Sequence, residues 1–282
     1  MNSTRQLLLA CLVLAPGIAA AQARPNGPLQ QATQLDLDGN TSQARTLIQS
    51  VIDTSTQPAG RAAAQRALAM SYAFDADCAN TVRMEEQVIA YWKTRETAEP
   101  QNAFYQQGEM ANEAARVCID AGQLDVAERY YRLGTQLGLG EPMPKTHPAS
   151  LWDFRLAHAL ARLAARRGDK ALAVREVAKA RGILDSDSTM RAAQERFYPY
   201  LTGYVALYTN DLATAEADLS RALDIPQNRN DPFMNALLAM TYEREGKAAL
   251  AKEAYHRAFT LASAHNPPSA YVRPLARRKI AP

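Results

Sequence analysis

Arg155, His158, Arg162 and Arg166 follow one another at spacings of 3, 4 and 4, which places all four on one face of a helix. Arginines so arranged can meet carboxylates through charge-assisted, two-pronged hydrogen bonds. Phe197, Tyr200, Tyr204 and Tyr208 form a second stripe with helical spacing, and tyrosines there supply rigid contact area with a polar tip. Glu109, Asn112, Arg116 and Asp120 make a third such row. The chemistry these rows suggest is non-covalent recognition of an acidic or aromatic-bearing peptide, or of a partner's C-terminus, across units three to five. Each also has a plainer reading: a basic helical face is an ordinary solvated face, and a tyrosine stripe is an ordinary packing seam.

Signatures of covalent chemistry are missing. The four histidines, His147, His158, His256 and His265, have no partners at metal-ligand spacing, and no H-E-x-x-H occurs. There is no G-x-S-x-G, no phosphate-cradling glycine loop and no C-x-x-C. Asp36-Leu37-Asp38-Gly39-Asn40 is similar to the start of a calcium loop, but Leu47 stands where that loop needs its glutamate, so the segment reads as a helix-ending turn. Neither a cofactor nor a metal nor an enzymatic activity is expected. An enzyme acting on cell-wall or carbohydrate material with an unusual site is the alternative class, and a deep pocket of convergent carboxylates would reveal it.

The formal net charge of +3 is too small for a dedicated nucleic-acid binder. It conceals an uneven distribution. Residues 145–182 hold nine Lys/Arg against three Asp/Glu, and the tail adds Arg273, Arg277, Arg278 and Lys279 with no acid after Asn266. The rest of the chain is correspondingly acidic.

Residues 1–21 read as a cleaved signal peptide. Arg5 is the basic n-region, Leu7 to Ala15 an apolar h-region, Pro16-Gly17 a break, and Ala19-Ala20-Ala21 the small-residue cleavage pattern, with a cut after Ala23 fitting almost as well. The apolar run is about half of the ~20 residues a membrane span needs. The expected address is the periplasm or the exterior. An outer-membrane lipoprotein is the alternative, since Leu8-Leu9-Ala10-Cys11 is similar to a lipobox, although the apolar segment continues past Cys11. Removing the leader leaves Cys78 and Cys118, an even pair in an oxidising space and hence a disulfide candidate.

The elements that must carry these residues show a repeat. From Pro232 to Ala264, Leu238-Ala239-x-x-Tyr242 is followed by Gly246, and then by Ala251, Tyr255 and Ala258. Small residues at Ala239 and Ala251 let helix axes approach, Tyr242 and Tyr255 fill the space left over, and Gly246 takes the positive-φ position that ends a helix. Weaker copies turn at residues 39, 76, 122, 168 and 210. No segment alternates apolar and polar residues over a strand length.

The Ala239 to Ala258 pattern resembles the tetratricopeptide repeat (TPR) family, in its exported bacterial form. The resemblance implies an all-α fold: an α-solenoid, a right-handed superhelix of about six helix-turn-helix units with a short C-terminal capping helix from Ala270 to Lys279. The units fall at about 25–58, 62–95, 108–141, 154–187, 196–229 and 232–265 within one domain of residues 25–282, and 266–282 form a basic tail. Turn spacings of 36 to 46 residues exceed the family period of about 34, so several units carry longer helices or loops.

In that family the first helix of each unit lines a concave groove. The resemblance therefore assigns a partner groove to Asn112, Arg116, Arg155, His158, Arg162, Arg166, Tyr200, Tyr204 and Tyr208. The repeat alignment also brings Cys78 and Cys118 to one end of the array, where either a bond or two separate buried thiols would fit. The function implied is a periplasmic scaffold or assembly factor that holds client proteins, possessing no nucleic-acid partner and no permanent membrane span. A lipid-anchored, pilotin-like subunit of an envelope complex is the alternative.

Overall fold

The computed structural model describes residues 27–281. The expected signal peptide, residues 1–21, and Cys11 lie outside the described residues. Among the described residues the chain is helical and contains no strand. In chain order the elements are α1 (Pro28–Asp38), α2 (Thr41–Thr54), α3 (Pro58–Ala73), α4 (Cys78–Lys93), α5 (Pro100–Asp120), α6 (Leu124–Leu139), α7 (Ala149–Arg166) and α8 (Lys170–Ser186). A short α9 (Ser188–Gln194) and a 3-10 turn (Glu195–Phe197) lead into α10 (Tyr198–Tyr208), α11 (Leu212–Asp224), α12 (Pro232–Arg244), α13 (Ala248–Leu261) and α14 (Pro267–Ile280). No described helix is long and apolar enough to cross a membrane.

Six tight turns divide these helices into antiparallel partners, and all six close in the same way. The backbone N–H of Asn40, Asp77, Gln123, Asp169, Asp211 and Lys247 each donates to the carbonyl five residues back, at 2.8 to 3.1 Å. That bond needs the preceding residue in the left-handed region. Gly39, Gly122, Gly168 and Gly246 occupy it at φ between 76° and 90°; Asn210 takes it at 65° and Ala76 at 56°. Asn tolerates this conformation, whereas Ala76 adopts it against the steric preference of its Cβ. Helix starts are equally local. Asp77, Asp169, Asp187, Asp211, Asp231 and Asn266 each cap a helix by accepting from a backbone N–H three residues on.

Each helix packs on its hairpin partner and then on the next hairpin, so the core is a succession of clusters. Close approach is set by small residues. Trp152 on α7 lies over Gly138 and Gly108, where an added Cβ would sit 2.0 and 2.5 Å from the indole, so only glycine fits beneath it. The signature residues Ala239, Ala251, Tyr255 and Ala258 are buried, while Tyr242 is half-buried beside the Lys247 ammonium. The α4 and α5 helices are joined covalently by the Cys78–Cys118 disulfide, with the Cα atoms 4.8 Å apart.

The C-terminal helix departs from expectation. It starts at Pro267, runs through Pro274 to Ile280, and does more than cover the last hairpin. Besides α12 and α13 it packs on α1, α3 and α5, joining the two ends of the described chain. Arg273 Nε and Arg277 Nη2 both donate to the Leu37 carbonyl at 2.9 Å, in the last turn of α1 where carbonyls lack intrahelical partners. Ala270 completes a small apolar cluster with Leu37, Ala73, Phe74 and Val117. His265 Nε2 lies 2.8 Å from Asp36 Oδ2, the other oxygen of which accepts from Ser71.

Candidate functional site

Residues of α5, α7, α10 and α12, with the start of α14, line a half-open cavity of about 360 Å³. The α5 helix contributes Glu109, Asn112, Glu113 and Arg116; α7 contributes Phe154, Arg155, His158 and Arg162. Phe197 from the 3-10 turn, Tyr200 from α10, and Phe233 and Met234 from α12 form the far wall. Asn266, Pro267 and Pro268, where α14 begins, close one side. A second cavity of about 430 Å³ on the other flank of α14 is bordered by Phe74, Val117, Asp120, Tyr271 and Arg278.

Arg162 is the most constrained charge here. It is 6% exposed, and its hydrogen bonds go to phenols: Nη2 donates to the Tyr131 hydroxyl at 2.9 Å and Nη1 to the Tyr200 hydroxyl at 3.2 Å. The guanidinium also lies over the Tyr131 and Tyr204 rings, 5.6 and 5.7 Å from their centroids. Its Nε has no partner. A guanidinium does not lose its proton in a protein, so a full positive charge stays in this wall; among the described residues no carboxylate is hydrogen-bonded to it, and Asp120 acts on it only through space. Burial pushes the Tyr131 and Tyr200 hydroxyls up from their ordinary pKa, so both remain neutral. Each accepts from Arg162 and keeps its own hydrogen to donate elsewhere.

The other charges of the lining differ in whether they are already used. Arg155 is ion-paired with Glu109, reaches the Tyr105 hydroxyl at 3.5 Å and lies 5.0 Å above the Trp152 ring. Glu113 is held by Arg66 in a two-pronged pair. The Asp231 carboxylate accepts from the Met234 N–H at 2.9 Å as the cap of α12. Among the described residues Arg116 has no ion pair; its guanidinium carbon stands 5.9 Å over the Phe233 ring. His158 sits between the Phe154 and Tyr200 rings, at 5.9 and 5.2 Å, and its Nε2 has no hydrogen-bond partner among the described residues. Burial, and then the charges of Arg162 and Arg116, hold its pKa well below the usual imidazole value, so it is neutral.

Of the residues expected in a groove, Asn112, Arg116, Arg155, His158, Arg162 and Tyr200 line this one cavity. The remaining three do not. Tyr204 is fully buried in the seam of α7 and α10. Arg166 reaches the Tyr204 hydroxyl at 3.5 Å and lies 4.8 Å over the Tyr208 ring, so Arg166, Tyr204 and Tyr208 form a packed continuation behind the cavity. The groove expected from the sequence did not include Tyr131, Phe233, Met234 or the Asn266–Pro268 wall. Tyr131 belongs to the second helix of its hairpin, and the periodicity of the first helices carries no signal for it.

Among the described residues no group of His, Cys, Asp and Glu could hold a metal ion. Each carboxylate of the lining is tied to a cation or a helix end: Glu109 to Arg155, Glu113 to Arg66 and Asp231 to the start of α12. The arrangement can bind an anion and pack an apolar body beside it. The sequence matches no protein-family model, and no curated protein matches it.

Proposed function

We propose that this chain is a tetratricopeptide-like α-solenoid that serves as a non-catalytic, protein-binding scaffold in the periplasm, gripping an acidic or aromatic-bearing segment of a client. Support for the repeat architecture comes from the six turns closed by one hydrogen-bond pattern and from the contacts between successive hairpins. Support for the address comes from the signal-like residues 1–21 and from a disulfide, which persists in oxidising compartments. The observation that carries the binding role is Arg162: a buried cation, met by phenols, in the wall of a cavity built from four helices.

The test is a photo-crosslinking amino acid placed at Asn112, inside the cavity, and at Val174, which is 56% exposed on α8. In cells that express the protein naturally, a discrete client adduct is expected from position 112 and none from 174. Arg116→Glu should abolish the adduct while leaving the fold intact by circular dichroism. An adduct that forms equally from both positions, or survives Arg116→Glu, removes the cavity from the account.

A further inference from the structure

We propose that the cavity is a site for a carboxylate carried on an apolar or aromatic body of about one residue, with Arg116 and Arg162 receiving the charge. This deepens the scaffold reading, on which it rests for the location of the site.

The charges reach this result by elimination. Three acids line the cavity, and each is committed: Glu109 to Arg155, Glu113 to Arg66, and Asp231 to the start of α12. Arg155 is neutralised by the first of these pairs. Two guanidiniums remain in the wall, Arg162 and Arg116, and among the described residues neither has a carboxylate bonded to it. Asp120, outside the cavity lining, offsets these charges only through space and forms no ion pair with either arginine among the described residues, so a carboxylate bonded directly to them supplies the contact that the buried cation lacks. The Tyr131 and Tyr200 hydroxyls, already accepting from Arg162, keep one donor each for the same ligand.

The walls limit what carries that charge. Phe154, Phe197, Phe233, Met234 and the paired Pro267-Pro268 form an apolar rim around the arginines. The volume of this half-open cavity, about 360 Å³, lies at the low end of the range for small-molecule sites. A bare, strongly hydrated anion would leave those rings unused. The fitting ligand has one acidic end and one apolar side, as do a free N-acyl aromatic amino acid and the last residue of a protein chain.

Isothermal titration with the full chain tests this. The probes are N-acetyl-phenylalanine, its amide, a hexapeptide ending in phenylalanine as the free acid and as the amide, and inorganic phosphate. Both free acids should bind, and both amides should bind at least about tenfold more weakly, the loss expected for one charge-assisted contact. If only the peptide acid binds, the source is a protein C-terminus; if both acids bind alike, the terminal residue suffices. Arg116→Met, at a half-exposed site, and Arg162→Met should each cost the acids about tenfold or more and leave the amides unchanged. Amides that bind as well as acids, phosphate that binds as tightly as they do, or acids that fail to bind at millimolar concentration would each overturn the proposal. Failure here leaves the Asn112 crosslink free to succeed, so the two readings fall separately.

Discussion

Arg162 and Tyr131 meet across the seam between α7 and α6, guanidinium to phenol, at 2.9 Å. The choice of a phenol as partner has a consequence that a carboxylate would not. It satisfies one N–H without cancelling the charge, so the electrostatic capacity of the arginine remains available to the cavity. Arg155, one turn closer to the start of α7 than His158, is instead paired with Glu109 and has spent its charge.

Replacing Arg162 by Met is therefore expected to leave stability unchanged or to raise it. The methionine fills similar apolar space and removes the desolvation cost of a buried cation, an exchange that is often neutral or favourable by about 1–4 kcal/mol. Arg162→Glu should instead lower the melting temperature, because the shorter side chain leaves the space of the guanidinium unfilled and its carboxylate must be stripped of water. Thermal unfolding of both variants checks the pair; a large drop for Arg162→Met would mean that the arginine is chiefly a structural tie.

Asp120 sets a pH dependence. Burial raises its carboxyl to about 6, with Arg116, Arg162 and Arg166 pulling in the other direction. Above that pH the ionised carboxylate offsets part of the positive field of these arginines; below it the field is stronger. A carboxylate ligand should accordingly bind more tightly at pH 5.5 than at pH 7.5, provided its own acid stays ionised. In Asp120→Asn that dependence should flatten, with the tighter affinity kept at pH 7.5. Titrations at the two pH values decide it, and an equal pH dependence in the variant would exclude Asp120 as the source.

The disulfide closes a loop with a sequence separation of 40 between α4 and α5. In the chain-entropy treatment such a loop is worth about 4 kcal/mol, through restriction of the unfolded chain. For a domain of this size that corresponds to a fall of roughly 10 °C in Tm when Cys78 and Cys118 are both replaced by Ala. The unfolded, unreduced protein should show no free thiol at these positions, and two titratable thiols there would contradict the bond.

His265 and Asp36 tie α14 to α1. Asp36 is 1% exposed, and removing His265 leaves one of its carboxylate oxygens with no protein partner. His265→Ala should cost at least about 1–3 kcal/mol, the penalty for orphaning a buried polar group. The double variant with Asp36→Asn should cost less than the sum of the two single changes, since the groups are in contact. Additive losses in a double-mutant cycle would show that the two residues act independently.

Glu85 on α4 is fully buried, close to the Glu113 carboxyl. Burial, reinforced by Glu113 and eased by Arg66, raises its pKa well above the usual 4.5. A raised folded-state pKa means that the folded protein holds a proton the unfolded chain has released, so stability is lost as pH rises above about 4.5. Glu85→Gln keeps the shape and removes the titration. Its melting temperature should exceed that of the parent at pH 7, and the difference should vanish near pH 4.

Much of the helical framework is legible in local sequence because its causes are local. Gly39, Gly122, Gly168, Asn210 and Gly246 announce turns through the backbone conformations they permit, and the caps at Asp169, Asp211 and Asp231 act over three residues. Helical spacing alone places Arg155, His158 and Arg162 on a common face. Ala76 carries no such signal, because its positive φ is imposed by the surrounding hairpin.

The charge state of the cavity was decided only by tertiary structure. Which arginine meets Glu109, and which meets Tyr131, depends on residues 31 to 46 positions apart being brought together. The return of α14 to α1 depends on contacts across more than two hundred residues, where Arg273 and Arg277 find the Leu37 carbonyl. Spacing determines which way a side chain faces, because the period of a helix is a property of the backbone alone. What that side chain meets is a property of packing among all the helices, and no period along the chain encodes it.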